Sequence, residues 1–364
     1  MVGKGALACI FPLVEVVAKV ELSWNAGTIE IEQWIRENYI PKNENDKQSA
    51  CTIKPAASPP GDAVRPSSCP GIYCGRHRLG DGNWSDCGAC PRGYRTNSSS
   101  ICVKCEDSPE FYDWLYLGFM VLLALVLHWF CIDTAALRRS FCKEVFALHL
   151  SALVETAMAA VLTLLMSEPW GKLEVRSCRT QKLSDWYTLL HNPNPDYADT
   201  LHCTQEAVYP LYTMVFIFYA LSIVLMLIIR PWLAGHFLPV YGKMSIYAAL
   251  YFFPTLALIQ AVLGGLIYYS FPYMVIIMSV ISNAAHFAFK LDQSMKSLVI
   301  STLTDVRNMV ILIGHWLLHA YGIIALTQLR EPSLHAALIA LIPLPAAFYV
   351  LTARFTDPNK VHTD

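Results

Sequence analysis

Charged side chains are scarce in this chain, at 15% of its 364 residues, whereas soluble domains carry about 25%. The shortage falls after residue 114, where long uncharged runs begin. The formal net charge is only -1, so neither a global field nor a basic stripe favours nucleic acid as a partner. Together with a mean hydropathy of +0.39, this composition favours a polytopic membrane protein over a large soluble core.

Signatures of enzymes are also missing. The sequence has no nucleotide-binding loop, no nucleophile elbow and no kinase signature. His315 and His319 are spaced to share one helix face, which suits a metal ion, but Trp316 replaces the glutamate of the HExxH motif. A seven-helix intramembrane zinc hydrolase therefore needs a third ligand from another helix. The alternative is hydrogen bonding between helices, and we expect no cofactor and no enzymatic activity.

Cysteine, by contrast, is abundant. Six of the twelve cysteines follow the spacing C-x4-C-x12-C-x2-C-x11-C-x2-C, which predicts either a disulfide scaffold in an oxidising compartment or zinc knuckles in the cytosol. Glycosylation sequons at Asn83 and Asn97 lie between these cysteines and favour disulfides. The candidates are Cys69, Cys74, Cys87, Cys90, Cys102 and Cys105. Spacing alone does not select their pairing.

The first 66 residues form a poorly structured extension in this interpretation. Lys4 precedes a short apolar segment over residues 5–14 that is typical of a signal peptide, although Glu15 interrupts it. Residues 41–66 are polar and rich in proline, so they bury too little apolar surface to offset the entropy lost on ordering. We predict a disordered linker there.

Seven apolar runs follow the cysteine-rich segment, each near the ~20 residues needed to cross about 30 Å of hydrocarbon. Because the bilayer offers no partners for backbone groups, these runs must be helical. They cover residues 111–132, 144–166, 206–229, two segments within 245–289, 306–328 and 334–352. Proline and neighbouring tyrosines predict that a tight turn at Tyr268–Pro272 divides the stretch 245–289.

The predicted fold is therefore an all-α polytopic membrane protein with seven transmembrane helices. A small cysteine-rich lumenal module at 67–108 precedes a membrane domain at 109–353 and a tail at 354–364. Ten basic residues, Arg230 among them, fall in loops on one side of the membrane and five on the other. This asymmetry, the sequons and the cysteines predict a lumenal N-terminus and a cytosolic C-terminus.

A long lumenal loop, residues 167–205, carries two further disulfide candidates, Cys178 and Cys203. They bracket an amphipathic piece over residues 183–190, which we expect to lie on the membrane surface. One interpretation joins these two cysteines in a disulfide, and the other leaves two free thiols.

Ionisable residues within the spans are functional candidates, because a charge in hydrocarbon is costly unless it is paired or neutralised. Glu155 lies in the middle of the second run, and His149 lies on a neighbouring turn. We expect Glu155 to pair with His149 or with a histidine from another helix.

Several blocks of this sequence resemble one family. The blocks are Pro70–Gly75, Cys87–Asn97, Ser108–Met120, Leu183–Thr188, Glu206–Thr213, Ser245–Pro254 and His315–Ile324. They are similar, in the same order, to the c-Jun N-terminal kinase-associated membrane protein family (JAMP), and the resemblance covers roughly residues 69–358. Residues 1–66 depart from the family, whose members begin near the cysteine module.

The resemblance implies a seven-span protein of the endoplasmic reticulum (ER) membrane. It implies an adaptor that recruits proteasome subunits, ER ubiquitin ligases and other components of ER-associated degradation, so that misfolded proteins are cleared. It also implies binding of c-Jun N-terminal kinase and modulation of its stress signalling. A cysteine-rich membrane receptor fits the same layout, but no ligand-specific feature supports it.

Overall fold

The computed structural model describes residues 68–80, 83–136, 143–191, 203–237, 241–290 and 292–353. The predictions for residues 1–66, including the signal peptide, and for the tail at 354–364 lie outside this part of the chain. Within it, a small disulfide-bonded module precedes a domain of long apolar helices. The predicted fold class is confirmed.

The module consists of two short antiparallel sheets. Strand β1 (Cys74–Gly75) pairs with β2 (Gly88–Ala89), and β3 (Tyr94–Thr96) pairs with β4 (Cys102–Lys104). Its buried apolar cluster is composed mainly of cysteines, so disulfides replace a conventional core. Gly75 packs against one of these bonds: a Cβ there would lie 2.7 Å from Cys102 Sγ and 2.8 Å from Cys90 Sγ. The position therefore has no room for a side chain.

Helices make up the rest of the described chain. In order they are α1 (Phe111–Ala136), α2 (Lys143–Leu165), α3 (Leu211–Phe237), α4 (Tyr241–Ala288), α5 (Met295–Thr304), α6 (Val306–Thr327), α7 (Pro332–Ala340) and α8 (Leu344–Thr352). Two single-turn 3-10 helices, η1 (Leu183–Trp186) and η2 (Thr188–His191), lie between α2 and α3. Six segments of the described chain are long and apolar enough to cross a membrane, with α7 and α8 together forming the last.

The turn predicted at Tyr268–Pro272 is wrong, because α4 continues through it as one helix of 48 residues. Such a helix is about 72 Å long, more than twice the ~30 Å thickness of the hydrocarbon core. Proline normally leaves the carbonyl four residues earlier without its helical partner, and here that carbonyl belongs to Tyr268. The hydroxyl of Tyr112 on α1 donates to it at 2.8 Å, so the helix tolerates the proline.

Four disulfides hold the module together and fasten it to the loop between α2 and α3. They join Cys69 to Cys87, Cys74 to Cys203, Cys90 to Cys102 and Cys105 to Cys178. The suggested bond between Cys178 and Cys203 is therefore wrong, since each is bonded to the module instead. α1 leaves the module and α2 returns towards it, which brings this loop beside the module.

Three apolar clusters pack the described helices, and one of them joins α1 to α2 through Leu125 and Leu148. The largest is rich in aromatic side chains and joins α1, α3 and α4, with Tyr116, Phe253 and Phe271 among its fully buried members. The third joins the end of α4 to α5, α6 and α8 through Phe287, Leu298 and other residues.

Candidate functional site

A buried ion pair joins α2 to α3 inside the membrane domain. Glu155 and Arg230 are both 0% exposed. Arg230 donates from Nε to Glu155 Oε1 at 3.3 Å and from Nη2 to the second carboxylate oxygen. Ser151, one turn before Glu155, donates its hydroxyl to Oε1 at 2.5 Å. The two charges therefore compensate each other where neither is solvated by water.

His128 brings α1 into the same cluster. Its Nδ1 lies 3.0 Å from Arg230 Nη1, and because a guanidinium can only donate, Nδ1 accepts the bond and carries the ring's lone pair. The proton of the neutral imidazole is then on Nε2, which is buried without a hydrogen-bond partner among the described residues. Glu155, Arg230 and His128 thus tie three helices together at a fully buried position.

Sequence reasoning misplaced Arg230, which it counted as a basic residue of a cytosolic loop. The residue follows a long apolar run and precedes Pro231, a combination typical of a span's end. In the structure α3 runs on to Phe237, about two turns further. The expected pairing of Glu155 with a histidine is therefore wrong, and His149 instead places Nε2 3.2 Å from Asp133 Oδ1.

Outside the membrane domain's long helices, Asp185 of the 3-10 helix η1 connects the long loop to the module. Asp185 is 3% exposed and accepts hydrogen bonds from the hydroxyl of Tyr73 at 2.9 Å and from Nη2 of Arg95 at 3.0 Å. The backbone N–H groups of Gln181 and Lys182 also donate to it. Burial, with the Asp185 carboxylate nearby, raises the pKa of Tyr73 to about 12. Four donors thus surround this one carboxylate.

The adjacent residue, Trp186, contacts the helices instead. Its ring lies 5.7 Å from that of Tyr116 on α1 and 5.2 Å from that of Tyr268 on α4, centroid to centroid. Gly265 on α4 makes room for it, because a Cβ there would lie 2.7 Å from Trp186 Cβ. Asp185 and Trp186, which we call the clamp, therefore link the module to the membrane domain. Within the piece expected to lie on the membrane surface, residues 183–190, Asp185 and Trp186 are buried, whereas Leu183, Leu189 and Leu190 are exposed.

Other predicted site residues fall in different surroundings. All eight cysteine candidates are in disulfides, and both sequon asparagines, Asn83 and Asn97, are exposed on the module. The sequence placed Asp185 and Trp186 only within the amphipathic piece 183–190 and the family block Leu183–Thr188. It did not predict the contacts of Asp185, because its donors in the module are far away along the chain.

The two predicted metal candidates on α6 bond to serines of α4. His315 Nδ1 lies 3.0 Å from Ser282 Oγ, and His319 Nδ1 lies 2.9 Å from Ser279 Oγ. These are hydrogen bonds between helices, the alternative to a metal site. No three side chains of the metal-binding types lie close enough to hold an ion in the part of the chain that the structure describes.

A sequence profile of the family described as JNK1/MAPK8-associated membrane protein matches residues 69–358. The chain belongs to this family. The human protein of that name is 47% identical over 302 residues, which cover 81% of this chain and 95% of the human one. The Caenorhabditis elegans homolog is 31% identical over 284 residues, which cover 77% of this chain and 86% of the homolog. No solved structure matches the chain.

Family membership confirms the resemblance found in the sequence. The matched region begins at the first cysteine of the module, Cys69, and contains the clamp, the buried ion pair and both histidines of α6. The family is named for an association and not for a reaction.

Proposed function

We propose that this protein is an adaptor of the ER membrane. It recruits proteasomes, ER ubiquitin ligases and other components of ER-associated degradation, and it modulates signalling by c-Jun N-terminal kinase. The observation that carries the proposal is the match of residues 69–358 to a family named for its association with JNK1/MAPK8. The degradation role rests on what the resemblance to the family implies.

The disulfides support a lumenal module. Two of them join a segment before α1 to a loop after α2, and these segments lie on one side of the membrane when each helix crosses once. Disulfides persist in oxidising compartments such as the ER lumen and are rare in the cytosol. We therefore propose a lumenal N-terminus. A cytosolic C-terminus, which the basic residues of the loops favour, requires an odd number of crossings, so one of the six membrane-length segments of the described chain does not cross just once.

In this orientation, only short segments between the helices are accessible to partners in the cytosol. α1 ends at Ala136 and α2 begins at Lys143, while α3 ends at Phe237 and α4 begins at Tyr241. Arg230 does not contribute to a basic docking surface, because its guanidinium is buried on Glu155. Recruitment by several short segments together, or by partners within the bilayer, fits this geometry better than docking on one loop.

Proximity labelling tests the proposal. A biotin ligase fused to the C-terminus of the full chain, expressed at native level, should label proteasome subunits, ER ubiquitin ligases and c-Jun N-terminal kinase. The comparison is the same ligase on an unrelated ER membrane protein with a cytosolic tail. Labelling of lumenal chaperones alone would contradict the orientation, and absence of proteasome and ligase subunits would contradict the degradation role. Enrichment of the kinase alone would leave only the signalling role.

A further inference from the structure

The last membrane-length segment of the described chain, Pro332–Thr352, is interrupted near its middle. Three residues in turns separate α7 from α8. Pro343 and Pro345 account for the interruption, because proline has no N–H group to donate to the carbonyl four residues before it. Ala340, the last residue of α7, lies roughly 12 Å along a segment of about 30 Å. When this segment crosses the bilayer, the break therefore lies deep in the hydrocarbon.

Hydrogen bonds between residues three apart satisfy only part of the interrupted backbone. The N–H groups of Leu341, Ile342 and Leu344 donate to the carbonyls three residues before them, at 3.1, 3.1 and 2.9 Å. In a continuous helix, Leu344 would donate to the carbonyl of Ala340, four residues before it. Among the described residues, no backbone or side-chain group donates to this carbonyl. Ala340 therefore keeps an unpaired oxygen, and a carbonyl oxygen can only accept.

Ala340 also belongs to a groove on α7. The groove has a volume of about 540 Å³ and is lined by Leu329, Pro332, His335, Ala336, Ile339 and Ala340. The five lining positions on α7 follow the three- and four-residue spacing of one helix face. No residue of α7 is buried, so the groove is open to the outside of the described chain.

An unpaired carbonyl at this depth needs a donor from another molecule. Hydrocarbon contains no water, and non-helical backbone is tolerated there only where protein covers it or where it lines a water-filled cavity. Apart from His335, the side chains that line the groove are apolar, which disfavours a water-filled cavity. Acyl chains have no donors, and the donors of lipid headgroups lie at the membrane surface. A polar side chain on another transmembrane helix supplies a donor at the required depth.

A second copy of this chain is a poor source of the donor. In a symmetric dimer about an axis along the membrane normal, the same residues of both copies face each other at the same depth. Residues 336–345 read AALIALIPLP and contain no N–H or O–H group in any side chain. The donor therefore belongs to a different protein.

We propose that the groove on α7 binds a transmembrane helix of a different protein, whose serine, threonine, asparagine or glutamine side chain donates to the carbonyl of Ala340. The short side chains of Ala336 and Ala340 let the backbone of that helix approach. The proposal rests on the proposed adaptor function and adds that at least one partner is recognised within the bilayer.

Photocrosslinking in cells tests the proposal. A photoreactive amino acid replaces Ile339, which lines the groove, in the full chain, and the crosslinked peptides are identified by mass spectrometry. We expect adducts to a transmembrane segment of another protein that carries one of the four donor residues. The same photoreactive amino acid at Leu334, which is exposed and lies about 140° away around α7, should give adducts to lipid instead.

Two neighbouring alanines provide a matched pair of variants. Ala336 lines the groove, whereas Ala337 is exposed outside it, about 100° further around the helix. Ala336→Trp fills the groove and should lower the adduct yield at Ile339 about tenfold. Ala337→Trp should leave that yield unchanged. Equal yields in the two variants would overturn the proposal.

Pro343→Ala combined with Pro345→Ala tests the carbonyl itself. With N–H groups restored at both positions the helix continues, and Leu344 then donates to Ala340. The adduct yield should fall about fivefold, the effect of one hydrogen bond between membrane helices. Pro254→Ala, which removes a proline from α4, is the control and should leave the yield unchanged. The double variant should unfold in detergent at no lower temperature than the unmodified chain, so its lower yield would not reflect misfolding.

Several outcomes would contradict the proposal. Adducts only to lipid, only to a second copy of this chain, or to segments without a donor would each overturn it, as would an unchanged yield in the double alanine variant. A lower unfolding temperature of that variant would also overturn it, because the break would then serve packing within this chain. Labelling of proteasomes from the C-terminal tag that persists in any of these cases would show that the adaptor function itself stands.

Discussion

Tyr112 donates a hydrogen bond to the backbone carbonyl of Tyr268, 156 residues further along the chain, at 2.8 Å. This carbonyl is the one that Pro272 leaves without a helical N–H partner. The two tyrosine rings also meet edge to face, with centroids 5.0 Å apart. α1 therefore stabilises the middle of α4 at the point where the sequence predicted a turn.

Tyr112→Phe should lower the free energy of unfolding by about 1 kcal/mol, the net value of one hydrogen bond. In a Pro272→Ala background the alanine N–H donates to the Tyr268 carbonyl. Tyr112→Phe should then leave the free energy of unfolding almost unchanged. Thermal unfolding of the purified full chain in detergent, for the four members of this cycle, measures the coupling. Tyr273→Phe is the control, since Tyr273 is exposed. If Tyr112→Phe lowered the free energy of unfolding equally with Pro272 and with alanine at that position, the hydrogen bond would not compensate for the proline.

Removing one partner of the buried ion pair should be severe. Glu155→Ala or Arg230→Ala leaves an unpaired charge in the bundle and should cost about 3–5 kcal/mol. Glu155→Leu combined with Arg230→Met leaves no such charge and should cost much less than either single change. The yield of folded protein and its thermal unfolding in detergent measure these effects. Arg330→Ala, at an exposed position, is the control, and a double variant as unstable as the sum of the singles would contradict this account.

Hydropathy predicted the helices because it is a local property of the sequence. The sixth run was predicted at 306–328, and α6 covers Val306–Thr327. The contacts between helices depend on how each helix is rotated about its axis and on the path of the loops. Neither can be inferred from a short stretch of the sequence. Arg230 and Glu155 are 75 residues apart, and the carboxylate of Asp185 meets Tyr73 across 112 residues.

The cysteines show the same division. Their number and spacing predicted a disulfide scaffold, and the same eight residues are bonded in the structure. The pairing of the cysteines depends on α1 and α2, which bring the long loop back to the module. Cys74 and Cys203 are 129 residues apart, and nothing in the sequence indicates that they bond to each other.

Glycosylation at Asn97 is a further prediction. Asn97 is exposed at the turn between β3 and β4, and its Oδ1 accepts from the backbone N–H of Ser99 at 2.9 Å, so its amide nitrogen can face solvent. If the module is lumenal, deglycosylation with an enzyme specific for high-mannose glycans should increase gel mobility. Asn97→Gln should remove the part of the mobility shift that is due to one glycan, and Asn83→Gln should remove the part that is due to the other. A mobility that the enzyme leaves unchanged would contradict a glycosylated lumenal module.

Cutting the chain between α1 and α2 tests how the module is fastened. A protease site inserted after Ala136 separates Cys74 and Cys105 from Cys178 and Cys203. Because two disulfides cross the cut, the fragments should stay joined in a denaturing gel without reductant and should separate when reductant is added.

Cys178→Ser with Cys203→Ser is the matched control for this cut, and its fragments should separate under both conditions. Cys69→Ser with Cys87→Ser removes a bond within the module, so its fragments should stay joined until reduced. Separation of the unmodified chain without reductant would mean that Cys178 and Cys203 bond to each other or to nothing. The module would then be held beside the loop by the clamp together with the ion pair of Arg179 with Asp107 and the hydrogen bond from the backbone N–H of Ser177 to Asp107.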